Sequence, residues 1–334
     1  NGAQQEFEFT FGIPSGFFDD YLSVNPNIAS FNGDMNPEFT GCYSSRHWHK
    51  QTNCELETLL YQAETVAFMT EDPSIIQSAR QLLRGAWETL SLTQHHDGIT
   101  GCHTDCVDVF IQKKYAEVRD TAQRVLHESA MATSNADNGY VTVINVLPWD
   151  VHNSIVRVPE GKGLVSSDGV RLSPRTVCGG ESRHNEVLIP TLTGLSVSAF
   201  RITEVESRKV ESVAHSAVQC GEYSAEFDAF GMSALRVSDL PNLVREGHHF
   251  GELQVQQDCG NLYVEKLTGT CVRAGDKAKI KRYGTRDALG VSMTFAGDII
   301  PDWCDGSLQW EQTFEFYEAM PLIRLRVRLD WRGS

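Results

Sequence analysis

What most constrains this chain is a change in its hydrophobic period at "MATSNADNG", residues 131–139. Before that stretch, apolar residues recur every three or four positions. After it they recur every second position. The first period belongs to amphipathic helices and the second to half-buried strands. One packed layer cannot satisfy both, so the chain is read as a helical unit followed by β units, divided by a small, polar linker.

Three helices are expected. From Ser45 to about Met69 the apolar face is Leu56, Leu59, Leu60, Ala63, Val66 and Ala67. Asp72 can cap a second helix and Pro73 suits its first turn. That helix runs to about Gln94 on Ile75, Ile76, Ala79, Leu82, Leu83, Ala86, Trp87 and Leu90. A third follows the glycine-containing segment 98–101 on Val107, Ile111, Lys114, Val118, Ala122 and Val125, with Tyr115 and Leu126 flanking the stripe. Short connections predict an antiparallel three-helix bundle. Upstream, residues 14–22 read as a short helix and residues 25–39 as loop. Downstream, strands are expected at 140–149, 152–160, 186–192, 195–205, 224–237, 307–318 and 322–331. The last alternates apolar residues with Arg324, Arg326 and Arg328, which reads as a basic outer face. The expected fold class is α+β multidomain, an antiparallel three-helix bundle followed by antiparallel β-sandwich domains. The expected divisions are a tail or loop over 1–40, the bundle over 41–133, a small β subdomain over 134–205 and a sandwich, cut short, over 206–334.

A formal net charge of −15 argues against nucleic acid, whose binding needs clustered Lys and Arg, so no nucleic-acid partner is expected. No apolar run reaches membrane-spanning length, and no signal peptide is visible. The nine cysteines are irregularly spaced with no CxxC pair. They read as mostly reduced thiols, which favours a cytoplasmic over a secreted protein. The chain begins Asn1-Gly2-Ala3 rather than with Met, so it reads as processed or as a piece of something longer.

The densest ligand chemistry is "TQHHDGITGC", residues 93–102. Successive residues of a helix point about 100° apart, so His95, His96 and Asp97 cannot all grip one ion from a regular helix. At a helix end one or two can, and Gly98 and Gly101 would let the backbone turn. A catalytic zinc takes about three protein ligands and an open position, so further ligands must come from elsewhere. The plain alternative is a solvated loop whose histidines cap a helix C-terminus. Weaker candidates are His103 with Asp105, His47 with His49, the pair His248-His249, Asp258 with Glu265, and Cys102 with Cys106. Each has an ordinary structural reading as capping, loop, edge-strand or packing residues.

"QHHDGITG" (94–101) closely resembles the His-His-Asp segment of glycoside hydrolase family 38, the zinc-dependent retaining α-mannosidases. "GDMNPEFTGCYSSR" (33–46) and "NCELETLLYQAE" (53–64) look like the opening of that family's bundle, and "NVLPWD" (145–150) like its entry into the β domains. "FGMSALRV" (230–237) and "GELQVQQDCGNLYVE" (251–265) fit the β region loosely, and the bacterial branch is nearest. The resemblance implies a Zn2+ cofactor with His96 as ligand, and His95 and Asp97 at the substrate. It implies a carboxylate nucleophile, a covalent glycosyl-enzyme and net retention. It also implies a mannose-containing glycan or oligosaccharide as partner. The family's nucleophile, acid catalyst and remaining zinc ligands lie in an N-terminal α/β domain that this sequence lacks. No catalytic residue is therefore expected here, zinc binding should be weak or absent, and the fragment should be inactive alone. The partner at the bundle tip would be that missing domain of the same polypeptide, or a second copy in a homo-oligomer. Asn261 and Tyr263 are the guesses for β-region residues reaching the sugar. A reading of another class is a non-catalytic carbohydrate-binding or scaffold protein, stacking sugars on Trp149, Trp303, Trp310 or Trp331.

Overall fold

The computed structural model describes residues 10–33, 39–134, 139–172, 174–179, 182–205, 211–214, 216–277 and 279–333. Part of the family-like opening stretch, residues 34–38, and part of the expected linker, residues 135–138, lie outside these.

Six helices come first: α1 (Pro14–Val24), α2 (Gly41–Ser44), α3 (Trp48–Met69), α4 (Pro73–Thr93), α5 (His96–Ile99) and α6 (Asp105–Thr133). α3, α4 and α6 bury the expected stripes against one another, with Leu56, Leu60, Leu83, Leu90, Val118 and Ala122 all but inaccessible. Asp72 caps α4 by accepting the Ser74 N–H at 2.8 Å, and Pro73 begins the helix. One expectation is corrected. Tyr115, not Lys114, completes the buried face of α6, because its phenol can stay in the core while donating to the His49 carbonyl. Lys114 turns outward to Glu117. α1 buries none of its residues; Phe17, Phe18, Tyr21 and Leu22 are all exposed. Among the described residues, no helix is long and apolar enough to cross a membrane.

Strands β1 (Tyr140–Asn145), β2 (Val151–Pro159), β3 (Lys162–Val165), β4 (Arg171–Leu172), β5 (Pro174–Gly179), β6 (Ser182–Leu192) and β7 (Ser196–Glu204) form two antiparallel sheets. Their orders are β1-β7-β3-β4 and β2-β6-β5. Val158, Leu164, Val187, Ile189 and Phe200 fill the space between them. The remainder holds β8 (Glu211–Val213), β9 (Ala217–Cys220), β10 (Tyr223–Phe227), β11 (Met232–Val237), β12 (Gln254–Asp258), β13 (Leu267–Arg273), β14 (Lys281–Arg286), β15 (Gly290–Ile299), β16 (Ser307–Tyr317) and β17 (Ile323–Arg332). A five-stranded sheet, β17-β16-β15-β14-β8, packs on β11-β10-β9 around Phe227, Met232, Met293, Phe314 and Phe316. This is the mixed, multidomain architecture of helices and antiparallel sheets that the change of period predicts.

The basic outer face expected of β17 is also corrected. Arg324 and Arg326 turn onto Glu315, which is buried, and Arg324 also donates to buried Glu186 at 3.2 Å. Val327, Leu329 and Trp331 stay exposed on the other face of this edge strand. Arg324 and Arg326 point inward because acids buried at the seam between the two β units need partners, while Arg328 stays exposed as expected.

Candidate functional site

α4 ends at Thr93, and the chain doubles back through one turn, α5, before α6 begins. Backbone bonds hold that turn: the His95 carbonyl accepts the N–H of Gly98 at 2.7 Å and of Ile99 at 3.0 Å. The Thr100 hydroxyl donates to the His96 carbonyl at 2.6 Å. Two cations on the neighbouring α3 region clamp the turn from below. Arg46 donates to the carbonyls of Gly101 and His103, each at 2.7 Å. Lys50 donates to Ser45 at 2.6 Å and Thr100 at 2.8 Å, and its burial lowers its pKa.

On this platform His95, His96 and Asp97 cluster. Their nearest ligand atoms all lie within 4.8 Å of one another. His96 Nε2 is 3.5 Å from Asp97 Oδ2, and the two imidazole rings are 4.3 Å apart. His95 Nδ1 accepts the Asp97 N–H at 3.2 Å, which caps α5. The backbone therefore does more than the sequence argument allows: the tight turn converges all three side chains. All three are open to solvent, with His96 and Asp97 each 80% exposed. Two imidazoles and a carboxylate are a donor set that suits zinc, and one that is incomplete.

Gly101 turns the chain as expected, and both Gly98 and Gly101 have a second role. Gly101 has φ +77°, as a tight turn requires. Yet a Cβ at Gly101 would meet the Ser45 carbonyl oxygen at 2.3 Å, and one at Gly98 the Thr93 carbonyl oxygen at 2.8 Å. Both glycines let the turn pack on the bundle behind it.

The β region reaches this tip through residues 259–265. Gly41 N–H donates to the Tyr263 carbonyl at 3.0 Å, and the Ser45 hydroxyl to the Leu262 carbonyl at 2.8 Å. Cys102 Sγ also lies 3.1 Å from the Leu262 carbonyl. Asn261 spends its side-chain oxygen on the N–H groups of Tyr263 and Val264, and Tyr263 meets Phe39 edge-on. Both guessed residues thus lie on a segment docked at the tip, held by local bonds.

The other candidates do not assemble as pairs. Asp105 goes to Arg46 at 2.7 Å and leaves His103. Instead His103 joins His49 and Asp108, a trio the sequence did not suggest. His49 Nε2 is 2.8 Å and His103 Nε2 is 3.5 Å from Asp108 Oδ1. Burial lowers the His49 pKa. Burial works the other way on Asp108, but hydrogen bonds from His49 and Gln112, with the His103 ring beside them, hold its carboxyl below the usual range. His47 stays exposed. His249 pairs with Asp228 at 2.7 Å, and Asp258 accepts the N–H groups of Gly260 and Lys266, closing its own hairpin. Cys106 contacts Thr104 rather than Cys102, whose sulfur lies 3.3 Å from that of Cys42. The eight cysteines whose side chains are described are free thiols. Of the four tryptophans, Trp310 belongs to the core, Trp303 packs against it, and Trp149 and Trp331 are exposed.

Residues 38–132 match the family model of the alpha mannosidase middle domain. A protein of glycosyl hydrolase family 38 from Enterococcus faecalis has a similar structure. Its TM-score is 0.65 at 13% identity, over 93% of this chain and 46% of that one. An alpha-mannosidase from Enterococcus faecalis V583 gives the same TM-score and identity, over 93% of this chain and 45% of that one. The chain thus spans about half the length of these solved structures. Among proteins with curated descriptions none matches.

Proposed function

We propose, from the match of residues 38–132 to the α-mannosidase middle-domain model, that this chain forms one wall of the active site of a zinc-dependent retaining α-mannosidase acting on mannose-containing glycans. The observation that carries the reading is the exposed convergence of His95, His96 and Asp97 on a rigidly clamped tip. Three ligand-type side chains left in water on a braced platform suit a site completed from outside.

In this reading His96 supplies one zinc ligand, while His95 and Asp97 contact sugar hydroxyls. When bound, Zn2+ would act as template and Lewis acid toward the sugar. The imidazole of His95 and the carboxylate of Asp97 offer one donor-or-acceptor and one acceptor-only face, a combination that can fix a diol in one orientation. Arg46 and Lys50 hold the turn from behind and leave the three side chains free to face a partner. The nucleophile and the acid come from an α/β domain placed against the tip. The exposed apolar residues of α1 support such a partner, because contiguous exposed apolar surface marks an interaction site.

The test is reconstitution. The chain alone should not hydrolyse a chromogenic aryl α-mannoside. Joined to a family 38 α/β domain, it should hydrolyse the substrate and retain zinc. His96→Ala should then lower both zinc content and kcat/KM, and Asp97→Asn mainly kcat/KM. Activity of the joined protein that survives both changes would sink the proposal.

A further inference from the structure

Behind the exposed tip lies a second and buried ligand cluster. His49 stands in the first turn of α3, His103 in the connection before α6, and Asp108 in the first turn of α6. The His49 side chain is wholly buried, that of His103 is 4% exposed and that of Asp108 16%. Trp48 stacks on the His49 ring at 3.7 Å, and the His49 and His103 rings meet edge-on at 5.0 Å.

The plain account of this cluster is incomplete. An acid in the first turn of α6 suits the helix dipole, and the His49–Asp108 bond satisfies one ring nitrogen. That leaves His49 Nδ1 and both nitrogens of His103 buried without a hydrogen-bond partner. A neutral imidazole carries one N–H and one lone pair, so His103 leaves both unsatisfied. Such orphaned groups cost about 1–3 kcal/mol each. Native structures keep few of them, and His103 Nε2, 3.5 Å from Asp108 Oδ1, is the one that an ion held between the two would satisfy.

We propose that His49, His103 and Asp108 form a second metal site that takes a borderline divalent ion, Zn2+ or Co2+, through His49 Nε2, His103 Nε2 and Asp108 Oδ1. The ligand atoms already lie within 4.8 Å of one another, and two imidazoles with one carboxylate select such an ion over Mg2+ or Ca2+, which take oxygen. Water can fill the fourth position on the exposed side of Asp108. A neutral His49 takes the ion at Nε2 as the tautomer that carries its proton on Nδ1, so the ion replaces the hydrogen bond to Asp108 with no net loss of a proton. Arg46 sets a limit. Its Nε lies 3.5 Å from the same carboxylate oxygen, and this charge opposes a dication and weakens the site. The guanidinium can give up that contact, because its terminal nitrogens stay bonded to Gly101, His103 and Asp105. The site would pin α3 to α6 directly beneath the tip, and it differs from the His96 site in every ligand.

The test is a Co2+ titration of the whole chain, followed by its visible absorption, with the fold of each variant checked by circular dichroism. The native chain and His96→Ala should each bind one ion with the same band. Asp108→Asn, isosteric and partly exposed, and His103→Ala should each weaken binding at least about tenfold, since even outer partners of a metal ligand count for 10–100-fold. A native chain with no saturable band overturns the proposal. So does a band lost in His96→Ala, or one that a folded Asp108→Asn leaves unchanged.

Discussion

Gly101 joins two demands that only a glycine meets together. Its backbone is left-handed, and the Ser45 carbonyl oxygen occupies the place of a Cβ. Gly101→Ala is expected to destabilise by about 1–3 kcal/mol, read as a lower urea midpoint at unchanged slope. An unchanged midpoint would show that the turn can shift off the bundle. Cys42 and Cys102 give a second prediction at this scale. Their sulfurs, 3.3 Å apart, are in contact without the bond of about 2.05 Å that a disulfide needs. Burial, then the bond and charge of Cys102, raises the Cys42 thiol above its ordinary value. Its thiolate, the reactive form, is therefore scarce at neutral pH and grows as pH rises. Oxidised glutathione should give a Cys42–Cys102 peptide by mass spectrometry, faster at alkaline pH, beside mixed disulfides at the exposed Cys54, Cys106, Cys259 and Cys271. Loss of thiols without that peptide would count against it. At this scale the sequence disclosed His95, His96 and Asp97 because they are adjacent. The trio of His49, His103 and Asp108 was hidden, because its members meet only through the packing of α3 on α6. His103 was paired on paper with Asp105, yet in the fold Arg46 takes Asp105.

Among the elements, the helices were legible because each buries a single stripe against two others, so the period survives in the sequence. Leu60 sits in that stripe with 0% exposure, and Phe68 on the same helix is 73% exposed. Leu60→Ala should cost about 2–5 kcal/mol, and Phe68→Ala should stay within about 0.5 kcal/mol, both by chemical denaturation. Equal costs would mean that α3 packs on a different face. The strands were less legible. β7, β16 and β17 alternate and were found. β15 is covered on both faces over most of its length, so alternation vanishes from "GVSMTFAGDI". β4 has two residues, and β8 has three, which is too short for any period. The run expected as one strand over 224–237 is a hairpin, β10 and β11, because the chain turns at Gly231, whose φ is +143°.

In the molecule as a whole, the two β units meet through charge as well as apolar contact. Leu289, Tyr317 and Met320 pack on Ile155 and Leu188. Beside them Arg175 of β5, 2% exposed, reaches Asp287 at 2.8 Å and Glu315 at 3.5 Å in the other unit. Burial, with Glu315 adjacent, pushes the Tyr317 phenol up to about 12 from an ordinary 10. A raised value means that the folded state holds its proton longer than the unfolded chain. This contribution is whole below pH 10 and is lost as pH rises from about 10 through about 12. Tyr317→Phe should flatten the fall in thermal midpoint over that window. Arg175 makes the sharper test, because its guanidinium also lies 4.7 Å over the Tyr317 ring. Arg175→Met keeps the bulk and removes the charge, so the largely buried Asp287 loses its cation, while Glu315 keeps only Arg324 and Arg326. Breaking a buried ion pair on one side costs about 3–5 kcal/mol. All of that cost falls on the seam, since Arg175 belongs to one unit and both acids to the other. Calorimetry of the variant should therefore show the β region splitting into two transitions, the first well below the native midpoint. A single transition, merely lowered, would mean that the apolar contact of Tyr317 and Met320 with Ile155 and Leu188 couples the units without the charges.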